Sequence, residues 1–193
     1  MRTLFLRHGE SAHNAHSGEE RLAEELGDLL TERGRAQAEA AGVGLRELDL
    51  GITRLLTSPM RRATETAEAI GAVLGLEPEP VPYAFEYHRG EDFAEGLERV
   101  HLLKARLGED AASAAPDDLP LLVTHGILTR FFLLDSVLGD SFDADLVPRM
   151  WHLASSNCGV TTFEFGEVRE PGGAPAAVGW SCISWMERPW DRP

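Results

Sequence analysis

Three short runs of apolar and β-branched residues constrain the fold more than any other feature of this chain. They are TLFL at residues 3–6, ITRLLT at residues 52–57 and LLVT at residues 121–124. The first and the last contain no charged residue, which is typical of strands that are covered on both faces of a parallel sheet. The chain is therefore expected to fold around a buried sheet.

Segments with helical spacing or helix-start signals lie between these runs. Thr31 is a predicted N-cap, and the apolar positions after it indicate a helix over residues 32–48. Ser58 and Pro59 predict the start of a second helix, with the serine as its cap, and Gly75 is the predicted C-cap. Further predicted elements are an extended connector or edge strand at 77–82, helices at 92–107 and 127–138, a solvated link at 111–119, an irregular segment at 140–151, and strands at 160–165 and 178–185.

The alternation of strands and helices favours an α/β fold. We predict a three-layer αβα sandwich, with a mostly parallel central sheet and helices on both faces. The length of 193 residues suits a single domain spanning residues 1–193. Three segments follow no clear pattern and are predicted to form variable caps over the substrate, namely residues 14–30, 83–95 and 140–156.

The net charge of −14 limits the partners of the chain. Such a surface repels nucleic acid and anionic membranes. No segment approaches the ~20 apolar residues of a membrane helix, and the N-terminal apolar run is too short for a signal peptide. We therefore expect no nucleic-acid partner, no membrane partner and a cytoplasmic location. A site for an anionic substrate must gather its positive charge locally.

Neither a metal site nor a cofactor site is indicated. His13 and His16 have the spacing H-x-x-H, but no cysteine or acidic ligand set stands out around them. The sequence also lacks the glycine-rich motifs that bind nucleotides. The protein is therefore expected to work without a metal ion or another cofactor.

Polar groups directly follow each apolar run. They are Arg7, His8 and Gly9 after the first, Ser58 with Arg61 and Arg62 after the second, and His125 with Gly126 after the third. Ligands of such sheets bind just beyond the carboxyl ends of the strands. If the three strands are parallel neighbours, these groups converge on one crevice, and Gly9 lets the backbone turn away from it.

Two histidines and two arginines in one crevice suit the transfer of a phosphoryl group. A guanidinium is permanently charged, and its fork of donors matches phosphate oxygens. An imidazole with an unperturbed pKa of about 6.5 can be neutral and attack phosphorus, which gives a phosphohistidine. The second ring and the arginines would hold the equatorial oxygens, and a carboxylic acid would protonate the leaving oxygen.

These residues resemble the signature of the histidine phosphatase superfamily, the fold shared by cofactor-dependent phosphoglycerate mutases and many small phosphatases. The resemblance spans nearly the whole chain and is most specific at the RHG segment. The segments that carry it are LFLRHGESAHN (4–14), LTERGRAQAEAAG (30–42), LLTSPMRRATETA (55–67), LLVTHGILTRFF (121–132) and SSNCGVTTFEF (155–165).

The resemblance implies a role for each matching residue. His8 is the implied nucleophile, and Arg7 contacts the transferred phosphoryl group. Arg62 falls on the family's second arginine and His125 on its second histidine, whereas Arg61 is expected to face solvent. The expected substrate contacts are Asn14, Ser11, Gly9, Gly126 and His88.

The family's general acid matches more than one residue of this chain. The family commonly places a catalytic glutamate after the second helix, and AFEYHRGEDFAEG offers Glu86, Glu91 and Glu95. Glu86 fits best, because it follows an apolar residue and lies four positions before Gly90. Glu91 resembles the start of the next helix and is kept as the alternative acid. The aromatic-Glu-Gly sequence that usually follows is not in its usual register.

Hydrolysis is the leading hypothesis for the function. The protein is expected to be a histidine acid phosphatase-type phosphomonoesterase that acts on a small phosphorylated metabolite or a phosphoprotein. The alternatives are a mutase of the cofactor-dependent phosphoglycerate type and a non-catalytic phospho-ligand-binding module on the same fold. The segment after Glu86, YHRGEDFAEGLE, is acidic where a bisphosphate would need cations, which favours hydrolysis. The sequence leaves the oligomeric state open and allows a homodimer.

Overall fold

A computed structural model describes residues 1–16, 27–87, 90–169 and 175–191. The centre of the fold is a six-stranded sheet. Its strands are β1 (Arg2–Arg7), β2 (Arg54–Thr57), β3 (Pro78–Pro80), β4 (Pro120–Thr124), β5 (Val160–Arg169) and β6 (Pro175–Glu187). Their order across the sheet is β3-β2-β4-β1-β5-β6, which places the three apolar runs side by side in the middle.

The sheet is mostly parallel, as predicted. Strands β1, β4, β2 and β3 run parallel, and β5 and β6 are antiparallel neighbours on the β1 side. In the parallel part, Leu6 lies opposite Val123 and Leu56 lies opposite Leu122. The three apolar strands therefore end close together at one end of the sheet, where folds of this kind bind ligands.

Helices cover both faces of the sheet. They are α1 (Ala12–Ala15), α2 (Glu32–Glu47), α3 (Arg61–Leu74), α4 (Phe93–Ser113) and α5 (Gly126–Leu138). On one face, Leu6 belongs to a buried core with Ala41 of α2 and Ile70 of α3. On the other face, Phe5 belongs to a second core with Leu103 of α4 and Phe132 of α5. This arrangement confirms the predicted αβα sandwich.

The predicted ends of α2 and α3 are confirmed in two of three cases. Thr31 caps α2, since its hydroxyl accepts a backbone N–H of the first turn at 3.0 Å. Gly75 ends α3 with a left-handed backbone at φ 72°. The cap predicted at Ser58 was wrong, because α3 begins at Arg61 and its N-cap position is Met60.

Tertiary contacts explain why Ser58 does not cap α3. Its hydroxyl oxygen lies 2.7 Å from Nε2 of His125, which belongs to another strand end. The start of α3 is satisfied instead by the Asp28 carboxylate, which accepts a hydrogen bond from Arg61 N at 2.8 Å. An acidic group at this position also complements the helix dipole.

Helix α4 is longer than predicted. It follows Asp92, whose carboxylate accepts a backbone N–H of the first turn at 2.9 Å, and it continues to Ser113 rather than to residue 107. The solvated link predicted for residues 111–119 therefore begins later. Asp110 ties the additional turn to the sheet through an ion pair of 3.3 Å with Arg54 of β2.

The segment at 140–151 was predicted to be irregular, and this was wrong, because it contains two 3-10 helices, Gly139–Ser141 and Ala144–His152. Strand β3 is the edge strand predicted in the proline-rich connector, and β5 and β6 are longer than predicted. None of the helices in the described ranges is long and apolar enough to cross a membrane.

Candidate active site

The ends of the three central strands bring both predicted histidines together. His8 follows β1, and its backbone N donates to the Thr124 carbonyl of β4 at 2.9 Å. His125 follows β4, and the centroids of the two imidazole rings lie 5.2 Å apart. Both residues are buried, with exposed fractions of 2% for His8 and 0% for His125. The two imidazoles predicted to share a crevice therefore lie close together and buried at one end of the sheet.

The hydrogen bonds of His8 define which ring nitrogen carries the proton. Nδ1 lies 2.6 Å from the Gly9 carbonyl oxygen, which can only accept a hydrogen bond. The guanidinium of Arg62 can only donate, and its Nε donates to Nε2 of His8 at 3.1 Å. The proton is therefore on Nδ1, and Nε2 carries a lone pair.

His8 is held in its neutral form. Burial is the largest cause that lowers the pKa of the ring well below its ordinary value of 6.5. The positive charges of Arg62 and Arg7 lower this pKa further, and the hydrogen bond to the Gly9 carbonyl acts in the opposite direction. A neutral ring with a lone pair on Nε2 has the form that a nucleophile needs.

Close packing, and not a left-handed turn, accounts for the glycine at position 9. Its φ angle is not positive, so no left-handed turn requires a glycine here. A Cβ atom at this position would overlap the carbonyl oxygen of Gly34 in the first turn of α2. The backbone N of Gly9 donates to the Thr66 hydroxyl of α3 at 3.0 Å. Gly9 therefore allows the loop after His8 to pack closely between α2 and α3.

The two predicted arginines both lie beside His8. Arg62 is 9% exposed and forms an ion pair with the Asp28 carboxylate, in addition to its bond with the His8 ring. Arg7 Nη1 donates to the Ser155 carbonyl at 2.7 Å, and Nη2 donates to Asn14 Oδ1 at 3.4 Å. Arg61, by contrast, has a side chain that is 65% exposed, as predicted.

The second histidine has different partners. Nε2 of His125 lies 2.7 Å from the Ser58 hydroxyl oxygen. Nδ1 is buried and has no hydrogen-bond partner in the described part of the chain. Burial is the largest cause that lowers the pKa of this ring well below 6.5, and the Arg62 guanidinium, the neighbouring His8 ring and the Arg7 guanidinium lower it further. His125 is therefore also held neutral.

The Glu86 carboxylate lies against the first turn of α5, which begins directly after His125. This carboxylate accepts backbone hydrogen bonds from Leu128 at 2.9 Å, Tyr87 at 3.0 Å and Ile127 at 3.2 Å. Burial raises the pKa of this carboxyl above its ordinary value of 4.5. The three hydrogen bonds oppose that shift but do not reverse it. Glu86 therefore keeps a proton at a higher pH than an exposed glutamate does.

The other two glutamates of this region have structural partners. The Glu91 carboxylate forms a buried, bidentate ion pair with Arg99, in which Nη2 lies 2.9 Å from Oε2. Glu95 accepts a hydrogen bond from the backbone N of Asp92 at the start of α4. Both oxygens of the Glu91 carboxylate are bound to the guanidinium, and the Glu95 carboxylate is bound at the start of α4. The geometry therefore favours Glu86 over Glu91 as the acid.

Asn14 is oriented by a residue that the sequence did not single out. Asn14 Oδ1 accepts hydrogen bonds from Arg7 and from the backbone N of Ser11, both at 3.4 Å. Asn157 Nδ2 donates to the same oxygen at 3.2 Å and to the His8 carbonyl at 3.0 Å. These contacts direct the NH₂ group of Asn14 away from the protein donors. Asn157 lies in SSNCG, and nothing in that pattern marks its long-range contacts.

A third buried arginine borders the site. Arg130 of α5 is 6% exposed, and its Nε and Nη2 donate to the Leu153 carbonyl at 2.9 and 2.6 Å. A Cβ atom at Gly126 would lie 2.7 Å from Ser155 Oγ and 3.3 Å from Arg130 Nη1. Gly126 therefore permits close packing of α5 against the 153–155 segment. An arginine within the apolar segment 126–138 was the only sequence signal for this contact.

Three further histidines, His101, His13 and His16, have other surroundings. His88 lies outside the described residues. His101 pairs with Asp135 at 3.1 Å, and His13 and His16 are exposed. In the described ranges no group of three or more His, Cys, Asp or Glu side chains could hold a metal ion.

Comparisons with known sequences point to one family. The model of the histidine phosphatase superfamily (branch 1) matches residues 3–83. The 2,3-bisphosphoglycerate-dependent phosphoglycerate mutase 2 of Bacteroides thetaiotaomicron is 34% identical over 110 residues, which are 55% of this chain. An acid phosphatase of Mycobacterium tuberculosis is 41% identical over 73 residues, or 36% of this chain. The matches span 42% and 33% of the length of these two relatives.

Solved structures match the fold over almost the whole chain. The mycobacterial glucosyl-3-phosphoglycerate phosphatase in complex with VO3 is 22% identical, with a TM-score of 0.71 and coverage of 97% of this chain and 99% of that one. A phosphoserine phosphatase of Entamoeba histolytica in complex with phosphoserine is 17% identical, with a TM-score of 0.67 and 96% of both chains covered. The family match at residues 3–83 includes His8 and Arg62 of the site, and the shared fold extends over the rest. Residues 3–83 of the chain therefore match the histidine phosphatase superfamily, and the chain shares its fold with these solved structures over almost its whole length.

Proposed function

We propose that the protein hydrolyses a phosphate monoester through a phosphohistidine on Nε2 of His8. The observation that supports this most strongly is the state of His8. Its ring is buried and neutral, its lone pair is on Nε2, and that atom lies 3.1 Å from the guanidinium of Arg62. A nucleophile beside a fixed positive charge suits an attack on an anionic phosphoryl group.

In the first step, Nε2 of His8 attacks the phosphorus atom and the bond from phosphorus to the ester oxygen breaks. Glu86 gives its proton to that oxygen, so the alcohol leaves neutral. Arg7, Arg62 and His125 hold the three non-bridging oxygens, over which the charge of the transition state spreads. The products are the alcohol, the phosphorylated ring and an ionised Glu86.

In the second step, water attacks the phosphorus atom of the phosphohistidine. Glu86, now a carboxylate, takes a proton from that water as the N–P bond breaks. Inorganic phosphate leaves, and His8 returns with its proton on Nδ1 and its lone pair on Nε2. Glu86 is again protonated, so one cycle consumes one ester and one water molecule.

The finer assignments are proposals that rest on the relatives. Two of the matched proteins are named for phosphatase reactions on phosphoserine and glucosyl-3-phosphoglycerate, and one is named an acid phosphatase. We therefore propose a phosphomonoesterase of the histidine acid phosphatase type that acts on a small phosphorylated metabolite. A phosphoprotein substrate, a single domain over residues 1–193, a cytoplasmic location and a homodimer stay predictions from the sequence.

A mutase is the second candidate, because one relative is named a 2,3-bisphosphoglycerate-dependent phosphoglycerate mutase. A mutase returns the phosphoryl group to a second hydroxyl rather than to water, which requires that water be excluded. The test is to supply 3-phosphoglycerate with 2,3-bisphosphoglycerate. Release of phosphate supports the phosphatase, and isomerisation without release supports the mutase.

The proposed activity is tested with a screen of phosphorylated metabolites that measures released phosphate. We expect His8→Ala to lower kcat by ~10⁴-fold or more, as removal of a nucleophile does in other enzymes. His101→Ala is the matched control, because that side chain is 56% exposed and pairs with Asp135 outside the site. No activity of the wild type on any ester would favour the third candidate, a non-catalytic phospho-ligand-binding module.

A further inference from the structure

Ser58 has a side-chain position that the family signature and the proposed reaction leave unexplained. It follows β2, is fully buried, and does not cap the helix after it. Its hydroxyl oxygen accepts a weak hydrogen bond from Met60 N at 3.3 Å and lies 2.7 Å from Nε2 of His125. In the described part of the chain the Ser58 hydroxyl has no other partner.

The hydroxyl proton of Ser58 needs an acceptor. A hydroxyl has one proton to donate, and a buried hydroxyl proton without an acceptor is costly. Since Met60 N is itself a donor, the only acceptor within reach of this proton in the described structure is Nε2 of His125. Nε2 must then carry a lone pair, and a neutral ring in that state has its proton on Nδ1.

The surroundings of Nδ1 of His125 provide a second, independent observation. The atom is completely buried and has no hydrogen-bond partner among the described residues. Buried polar atoms without a partner are rare in folded proteins and require an explanation. The ring lies 5.2 Å from the ring of His8, so a phosphoryl group at His8 is within reach of a donor on this ring.

We infer that Ser58 is a positioning residue, which fixes the proton of His125 on Nδ1 and thereby makes that nitrogen a donor to the transferred phosphoryl group. This role rests on the proposed function, whereas the protonation pattern of the ring does not. Among the side chains proposed to act on the substrate, the Ser58 hydroxyl contacts only His125 in the described part of the chain, so it acts on the reaction through that ring. The bond of Met60 N to the hydroxyl oxygen helps to direct the hydroxyl proton towards the ring.

The charges around His125 agree with a neutral ring. The groups that act on its pKa are Arg62 of α3, His8 and Arg7 at the end of β1, and Arg99 of α4, while the Glu86 carboxylate is bound to the first turn of α5. Most of these are positive, and His125 is also the N-cap residue of α5, where the helix dipole disfavours a cation. A ring that carried two protons would place an N–H against the Ser58 hydroxyl and leave the hydroxyl proton unsatisfied.

The protonation pattern is tested directly by NMR on protein labelled with ¹⁵N-histidine, at a pH above 7. Two-bond ¹H–¹⁵N correlations distinguish protonated from bare ring nitrogens, and the spectrum of His125→Gln identifies the His125 signals. We expect the wild type to show a protonated Nδ1 and a bare Nε2 at His125. A protonated Nε2 in the wild type overturns the inference, and this measurement needs no variant of Ser58.

The role in the reaction is tested with Ser58→Ala. We expect its kcat to fall by about 10- to 100-fold, since the donor at Nδ1 is no longer fixed, and the His125 signals to shift towards the other protonation pattern. Thr57→Val is the matched control, because Thr57 is the neighbouring buried hydroxyl and donates only to the Ser58 carbonyl at 3.1 Å. Wild-type rates and an unchanged His125 spectrum for Ser58→Ala would overturn the inference.

The two proposals fail in different ways. A wild type that hydrolyses no ester but has Nδ1 of His125 protonated refutes the phosphatase activity and leaves the role of Ser58 in setting the ring proton intact. An active wild type with Nε2 of His125 protonated refutes the inference about Ser58 and leaves the phosphatase activity intact.

Discussion

His8 and His125 are the same residue type at the ends of neighbouring strands, but they have different hydrogen-bond partners. His8 donates from Nδ1 to the Gly9 carbonyl and accepts at Nε2 from Arg62. His125 has Nε2 against the Ser58 hydroxyl and leaves Nδ1 without a protein partner in the described chain. The first ring therefore presents a lone pair to the crevice, and the second is proposed to present a proton.

This difference shows how a protein separates two chemically identical side chains. Both rings are buried, and burial lowers the pKa of each below 6.5, so charge does not distinguish them. The distinction comes from one partner on each ring, a backbone carbonyl for His8 and a serine hydroxyl for His125. Each partner fixes the protonation state of one ring nitrogen, so that the other nitrogen is available to the substrate.

The largest expected effect is the contrast between replacements of the two rings. His8→Asn removes the nucleophile and is expected to lower kcat by ~10⁴-fold or more. His125→Asn removes one donor to the transition state and is expected to cost about 10²–10³-fold. Steady-state kinetics of both variants on one ester measure the contrast. Equal losses would contradict the assignment of different roles.

Replacement of Glu86 is expected to have the next largest effect, and it tests the proposed proton donor to the leaving oxygen. His8 stays neutral below pH 6.5 because its pKa is lowered, and Glu86 stays protonated above pH 4.5 because its pKa is raised. We expect kcat/KM to be highest in the acid range and to fall on the alkaline side as Glu86 ionises. Glu86→Gln is expected to lower the rate by about 10²–10⁴-fold and to remove the alkaline limb of the pH profile.

A pH profile that keeps its alkaline limb in Glu86→Gln would contradict this assignment. Glu91→Gln serves as the comparison, because its carboxylate is bound to Arg99. If Glu91→Gln removes the limb instead, Glu91 is the acid.

Replacement of Arg62 tests the environment of His8 separately from that of His125. Arg62→Lys keeps a positive charge but loses the Nε donor that lies 3.1 Å from the His8 ring. We expect kcat/KM to fall by ~10²-fold, with the His125 signals unchanged in the NMR spectrum. Arg61→Lys is the control, because that neighbouring side chain is 65% exposed. A similar loss in both variants would show that the effect belongs to the helix and not to His8.

The smallest expected effects concern the glycine that follows each histidine. A Cβ atom at Gly9 would overlap a backbone oxygen of Gly34, whereas at Gly126 the nearest atom is the Ser155 side-chain oxygen at 2.7 Å. A side chain can move aside more easily than a backbone carbonyl. We expect Gly9→Ala to lower the free energy of unfolding by about 1–3 kcal/mol, and Gly126→Ala by less. Denaturant unfolding of both variants measures this difference, and the reverse order would contradict it.

His8 and His125 of the candidate site were predictable from the sequence because each directly follows an apolar strand. In a parallel sheet, residues just after neighbouring strands meet at one end, and the register of β1, β4 and β2 brings His8, His125 and Ser58 there. The family resemblance then placed Arg62 on the first turn of the following helix. Local pattern and topology together were sufficient for these residues.

The residues that support the site were not predictable in the same way. Asn157 bonds to His8 across 149 positions of the chain, and Asp28 bonds to Arg62 across 34. Such contacts follow from the packing of segments that have no regular pattern of their own. Ser58 shows the opposite case, since a strong local signal for a helix cap was overridden by a partner on another strand.

The most direct test of the account is to identify the phosphorylated atom. Glu86→Gln is mixed with p-nitrophenyl phosphate, whose leaving group needs little protonation, and is quenched in alkali, where phosphohistidine survives. Proteolysis and mass spectrometry then identify the phosphorylated residue, and ³¹P NMR of the protein denatured in alkali distinguishes phosphorylation at Nε2 from phosphorylation at Nδ1. We expect phosphorylation of His8 at Nε2 and none of His125. A phosphoryl group on His125 or on Nδ1 of His8, or turnover without a phosphoenzyme, would contradict this expectation.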